Sequence, residues 1–503
     1  MFAFGLTRAL LVSVLVFSGL LLLFLSGYES FPDVQICRPF RIQNATKALD
    51  LSPPDGDEAP ASPDSHPPSS SQTSKGCPAS VIQLRDTFAR RWGIPLPLSL
   101  AQSGTGARVR RAMERLQKER KLTIGILGGS ITFGHGLKPN EKRYAELIEE
   151  GLRQAFPDAE IMVKNGAVAA TGTDYFSACY KHHVPEDADL FILESAVNDL
   201  MVDINIDKSS VHQDIMTDTE TLVRELLGGE AAVLMLSTWG MTNGYINGAD
   251  QHATVAEYYD VPRLSTRAAL YQYVQAHLEN ATEIFVPGDM GHYNPNGHRF
   301  MADSILDYLL GESCKPSYAP PYSGLRGTGL SSQLDPFALP RLRIRQRLNQ
   351  EQLANPVAFC KSANVQLGDG SWQLMGLPVD AHPSFEKVVW HDKHYWAAEE
   401  IGARVTFTDI DVSGGFLGLY YLRSTSMGLG NLRCWADGDQ GSSKLLVGYW
   451  NYVSVGSVGV IATGLAPGKH NVTCEVDKTT NAVPHPDAKG SMHKTRIIAV
   501  IAS

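Results

Sequence analysis

Leu122-Thr-Ile-Gly-Ile-Leu-Gly-Gly-Ser130-Ile-Thr-Phe-Gly134 is an apolar run that stops at two glycines, with a serine directly after them. The apolar part, 122–127, reads as a buried strand. Gly128 and Gly129 can take backbone angles closed to other residues, so the chain can turn sharply at the strand end. That leaves Ser130 at the rim of a sheet, where open α/β sheets bind ligands and carry out chemistry. The same stretch has a second reading, a glycine turn at a helix N-terminus that holds an anion.

Working outward, further strand-like runs fall at 160–164, 189–194, 232–237 and 283–287. Helical stretches separate them; in one, Tyr144, Leu147, Ile148 and Leu152 share a helical face. Strands alternating with helices over 80–315 predict a parallel sheet covered on both sides, with Ser130 at its carboxyl edge. From 356 to 503 the pattern changes. Short β-branched and aromatic runs at 403–410, 416–422, 431–435, 444–450, 455–462, 470–476 and 495–501 alternate with Gly, Asp, Asn and Ser. This spacing predicts an all-β antiparallel sandwich. Trp372, Trp390, Trp396, Trp435 and Trp450, five of the seven tryptophans, lie there, either as core or as platforms for sugars. His391-Asp-Lys-His394 reads as surface. The connector, 316–355, carries the basic run 339–347, read as a solvated or packing linker or, alternatively, as a contact for acidic lipid or a polyanion.

The formal net charge of −9 over 503 residues argues against a nucleic-acid partner. Residues 9–27 carry no charge over about the span a bilayer needs. They are read as a signal anchor after a cytosolic tail (1–8), with a cleaved signal as the alternative. Residues 28–79, rich in proline and serine, read as a disordered stalk. Asn44, Asn280 and Asn471 open Asn-x-Thr glycosylation triplets. Together these predict a single-pass type II membrane protein facing the Golgi or secretory lumen, or the cell surface. Seven cysteines fit that compartment. Cys434 and Cys474 are expected to pair; Cys77, Cys179, Cys314 and Cys360 could form two more bridges, leaving Cys37. No cysteine–histidine cluster has zinc-site spacing, and no metal or organic cofactor is implied.

Three more segments place polar groups at strand edges: Asn165-Gly-Ala-Val-Ala-Ala-Thr-Gly172, Glu194-Ser-Ala-Val-Asn198-Asp199, and Gly288-Asp289-Met-Gly-His292-Tyr-Asn-Pro-Asn-Gly-His298. With Gly-Gly-Ser130-Ile-Thr they resemble, in this order over 120–310, the blocks of the SGNH (GDSL-type) hydrolase superfamily. The resemblance implies a flavodoxin-like three-layer sandwich and a Ser130–His292–Asp289 triad. It also implies an oxyanion hole made by the Ser130 N–H, the Ala170 or Gly172 N–H, and the Asn198 side chain. A serine hydroxyl needs a base, the base an orienting carboxylate, and the developing oxyanion preorganised donors. His298 is the competing base; the Asp-x-x-His spacing favours His292. Two positions depart from the family pattern: Gly129 stands where its acidic residue precedes the serine, and Val197 where it has glycine before the asparagine. The implied function is a membrane-anchored serine esterase, with an ester-bearing substrate such as an acylated glycan. Alternatives are an O-acyltransferase with the same triad and a non-catalytic glycan-binding surface protein. A phosphate loop lacks its Lys-Ser/Thr.

Overall fold

The computed structural model describes residues 77–93, 96–199, 211–212, 214–241, 245–318, 335–353, 357–366, 372–373, 379–390, 393–451, 453–486 and 490–503. The 9–27 span, Cys37, Asn44 and the predicted stalk up to 76 lie outside them. Among the described residues no helix is long and apolar enough to cross a membrane.

Strands β1 (Leu100–Gln102), β2 (Lys121–Gly128), β3 (Glu160–Asn165), β4 (Leu190–Glu194), β5 (Ala232–Ser237) and β6 (Arg263–Ser265) form one sheet. Their order is β1-β6-β5-β4-β2-β3, parallel except for the edge strand β1. The chain leaves β2 for β3 on one side and returns to β4 on the other. The carboxyl end of β2 is therefore the topological switch point, where such sheets leave a crevice.

Alternation along the strands covers both faces. Leu122, Ile124 and Ile126 pack with α1 (Ala79–Trp92), α2 (Ala107–Glu119), α4 (Tyr144–Ala155) and α9 (Pro295–Ser313). Tyr144, Leu147, Ile148 and Leu152 are buried on that side, as their helical spacing predicts. Leu127, Phe191, Leu193, Val233 and Met235 face the other way, towards α5 (Thr173–Cys179), α6 (Ile215–Gly228) and α7 (Ala249–Tyr258). The remaining helices are the short α3 (Ser130–Phe133) and α8 (Thr266–Ala276).

The expected strand at 283–287 does not join the sheet. Leu278–Glu283 is a 3₁₀ turn, and Phe285 makes an isolated bridge to Tyr293. Ile284 and Phe285 are apolar because they fill the core. The fifth parallel strand is β6, three residues long and too short to register as a run.

All seven strands predicted after residue 400 form, with small shifts of their ends. One sheet runs Val379–Ala381, β10 (Arg404–Val412), β15 (Gly468–Val476), β12 (Asn431–Ala436), β13 (Lys444–Val447). Cys434 and Cys474 stand opposite each other on β12 and β15 and are bonded. The other sheet contains β8 (Glu386–Trp390), β9 (Lys393–Ala398), β16 (Thr495–Ala502), β11 (Leu417–Arg423) and β14 (Val455–Ala462), with β7 (Phe359–Ser362) against β16. Val211–His212, from the first half of the chain, pairs with β14.

Burial alternates along β10 but is continuous along β11. The reason is that the outer face of the larger sheet is not wet. Tyr395, Tyr420, Leu422, Val458, Ile498 and Ile501 share one apolar core with Tyr175, Phe176 and Leu222. A Cys179–Cys360 disulfide crosses the same boundary, and Cys77–Cys314 ties the two ends of the α/β part.

The described part of the connector is a packed strap. Arg108 and Arg224 donate to the carbonyls of Pro336 and Pro340, the Ile344 N–H donates to Glu220, and Arg345 pairs with Asp214. His394 is buried inside the sheet, its backbone bonded to Asn364 on both sides, so the surface reading of that pair fails there. Trp396, Trp435 and Trp450 are buried, while Trp390 is 38% exposed. Asn471 is exposed on β15; Asn280, on the 3₁₀ turn, donates to the Tyr273 hydroxyl.

Candidate active site

β2 ends at Gly128, and the chain turns at Gly129 with φ −88° and ψ −148°. Neither glycine has a positive φ. What demands glycine here is close approach. A Cβ on Gly128 would lie 2.1 Å from Thr132 Oγ1, and one on Gly129 only 1.9 Å from Asn198 Nδ2. Ser130 then opens α3, so its N–H has no partner inside the helix.

Opposite it, residues 285–293 form a tight loop. The Phe285–Tyr293 bridge closes its base, the Val286 N–H donates to the His292 carbonyl, and Met290 takes a left-handed φ of 54°. Asn294 caps α9 through the Gly297 N–H and so fixes the far end. This loop brings His292 Nε2 to 2.8 Å from Ser130 Oγ and His292 Nδ1 to 2.7 Å from Asp289 Oδ2. With Asp289 accepting from Nδ1–H, Nε2 presents its lone pair to the serine hydroxyl. Burial holds the His292 imidazole below its ordinary value, with Asp289 working in the opposite direction.

The other candidate base is elsewhere. His298 is fully buried, its Nδ1 accepts from the Tyr144 N–H, and burial pushes its imidazole down to about 3. It is a helix-packing residue.

The oxyanion candidates lie on loops beside Ser130. A Cβ on Gly172 would lie 2.1 Å from Asp199 Oδ1. Ala170 sits in a left-handed conformation, φ 63°. Among the described residues its N–H, like those of Ser130 and Gly172, makes no backbone hydrogen bond. Asn198 Nδ2 donates to the Thr171 carbonyl at 2.8 Å and lies against Gly129. Its second amide hydrogen is a further donor. The geometry gathers Ser130, Ala170 and Asn198, with Gly172 two residues on at the N-cap of α5.

Sequence reasoning missed the supports. Asp199 accepts from the Thr173 N–H and pairs with buried His252 at 2.7 Å, bracing the 170–173 turn. From the β-sandwich, Gly456 donates its N–H to the Ala170 carbonyl at 2.8 Å, and the Tyr420 hydroxyl donates to Asp174. His135, 61% exposed, leans over His292 with ring centroids 4.4 Å apart. Beneath the serine, Glu194 at the end of β4 accepts from Thr132 on α3 at 2.7 Å and from Thr238 beyond β5 at 2.5 Å. A glutamate closing a buried strand was the available signal for this last group.

Burial pushes the Glu194 carboxyl up to about 7, against the pull of its threonine bonds. The folded state therefore keeps a proton that the unfolded chain gives up near 4.5. The stability this contributes is full below that value and lost as pH rises through 7, on the order of 3 kcal/mol. Glu194→Gln removes the titration, and either threonine hydroxyl can turn to accept from the amide. The variant should melt a few degrees above wild type at pH 8 and level with it at pH 5, as thermal denaturation followed by circular dichroism would show.

No protein-family model matches the chain, and no curated protein does either. Solved structures do. A two-domain esterase active on acetylated mannans superposes with a TM-score of 0.58 at 21% identity, over 82% of this chain and 98% of that one. Its co-crystal with mannopentaose gives 0.57 at 22%, over the same shares. A lipase/acylhydrolase from Enterococcus faecalis, 18% identical, covers 39% of this chain and all of its own at a TM-score of 0.30. At such identities the likeness to the mannan esterase establishes a shared fold, α/β sheet and β-sandwich together.

Proposed function

We propose that this chain is a serine esterase of SGNH type that removes O-acyl groups, acetyl above all, from a polysaccharide. The observation that carries the proposal is the hydrogen-bonded line Ser130–His292–Asp289 at the switch point of the sheet. In this reading Ser130 Oγ attacks the ester carbonyl carbon while its proton passes to His292 Nε2. Asp289 holds the tautomer and stabilises the imidazolium. The oxyanion is met by the Ser130 and Ala170 N–H groups and the Asn198 amide. Collapse expels the sugar hydroxyl with the proton from His292, and water, activated by the same imidazole, releases the acid. A second sugar hydroxyl in place of that water would make the reaction a transfer.

The polysaccharide is supported by the shared two-domain fold with a protein described as active on acetylated mannans. We also propose that the catalytic body is anchored by residues 9–27 and faces an oxidising compartment, which the three disulfides favour. The test is to incubate the full chain with a fluorophosphonate probe and, separately, with acetylated mannan. Mass spectrometry should find the adduct on Ser130, and free acetate should accumulate. A folded protein that neither labels nor releases acetate would refute the esterase.

A further inference from the structure

His135 takes no part in the acyl chemistry, yet it stands beside it. Its backbone N–H donates to the Ser130 carbonyl at 2.9 Å, and Gly134 and Gly136 on either side have φ near 90° (91° and 88°). This double turn throws the imidazole outward and over the Asp289–His292 pair. His135 Nε2 is 4.0 Å from Asp289 Oδ2. One ligand atom from each of His135, Asp289 and His292 lies within 4.8 Å of the others. The side chains of Asp289 and His292 are 31% and 22% exposed, so an ion can reach them from solvent.

We propose that His135, Asp289 and His292 form a binding site for a borderline divalent cation, Zn²⁺, and that its occupation switches off the hydrolase. Two imidazoles and a carboxylate are a common donor set for this ion, with water completing the tetrahedron. Ligand atoms around tetrahedral zinc lie roughly 3.3 Å apart, given bonds of about 2.0–2.1 Å. The exposed His135 ring can swing inward to close the difference. Mg²⁺, which prefers six oxygen ligands, is not served by this set. Whichever ring nitrogen His292 turns to the metal, it gives up its bond to Ser130 or to Asp289. The inhibitory half of the proposal rests on His292 being the catalytic base; the binding half does not.

The full chain, made without a polyhistidine tag, is titrated with zinc chloride by calorimetry beside Ser130→Ala and His135→Ala. Wild type and Ser130→Ala should bind one Zn²⁺ alike. His135→Ala should bind it more weakly by more than the roughly 10- to 100-fold that loss of an outer-shell partner costs. On an acetate ester, zinc should stop wild-type turnover, a chelator should restore it, and Mg²⁺ should leave it unchanged. His135→Ala should keep, at the same zinc concentration, the rate it shows without zinc. Equal zinc affinity in wild type and His135→Ala, or saturation with zinc without loss of turnover, would overturn the proposal. Should the chain prove to have no esterase activity, that result falls on the esterase reading, and the calorimetric comparison alone decides the site.

Discussion

Ser130→Ala should lower kcat/KM on p-nitrophenyl acetate by about 10⁴- to 10⁶-fold. The alanine leaves the oxyanion donors in place but removes the atom that forms the acyl-enzyme. His292→Ala should cost a similar factor, because an alcohol whose proton has nowhere to go is a poor nucleophile. The informative variant is the double one. Ser130 and His292 act as a unit through a single 2.8 Å hydrogen bond, so removing both should cost no more than removing either. Steady-state kinetics of the four proteins measure this directly. A double variant slower than the singles by the product of their losses would mean that the two side chains work independently, and the triad would fall.

Gly129→Ala should lower kcat by about 10²- to 10³-fold, the usual cost of one oxyanion donor, without unfolding the protein. The new Cβ would stand 1.9 Å from Asn198 Nδ2, while the nearest backbone atom, the Thr171 oxygen, is 3.4 Å away. The amide is the end of a side chain and can yield where backbone cannot. Its movement breaks the 2.8 Å bond to Thr171 and takes the donor away from the serine. Asn198→Ala should therefore be as slow as Gly129→Ala, and the combination no slower than either, since the two changes remove the same group. Additive losses would show that Gly129 matters for something other than Asn198.

The legibility of the molecule follows from where its contacts are made. Ser130, Asp289 and His292 can be read from the chain because each sits on a short loop whose spacing the chemistry itself restricts. Ala170 and Gly172 cannot be told apart in one dimension; only the fold shows Ala170 in a left-handed turn braced by Gly456 from the sandwich. Glu194 shows only as an odd residue closing an apolar strand, since its partners Thr132 and Thr238 come from two other loops. Residues 283–287 carry the composition of a strand without its ladder, because burial alone selects Ile284 and Phe285. His394 looks polar and hence exposed, but β9 is covered on both faces from His394 to Ala398 and Asn364 holds its backbone. The run Leu417-Gly-Leu-Tyr-Tyr-Leu is continuous rather than alternating, which is how a strand buried on both faces reads. It was the one visible sign that the larger sheet of the sandwich packs against the α/β part on its outer face.

That shared face has a bearing on how this chain can be taken apart. The 170–173 turn is held from one side by the Asp199–His252 pair and from the other by Gly456, with Tyr420 bonded to Asp174 just beyond it. Part of the scaffolding that holds Ala170 is thus supplied by residues encoded more than 240 positions downstream. Severing the connector would give an α/β fragment with every residue of the candidate site present and its geometry loosened, beside a sandwich with a greasy flank. The boundary drawn on the primary structure is no seam in the folded object, and neither part can be transplanted as a cassette.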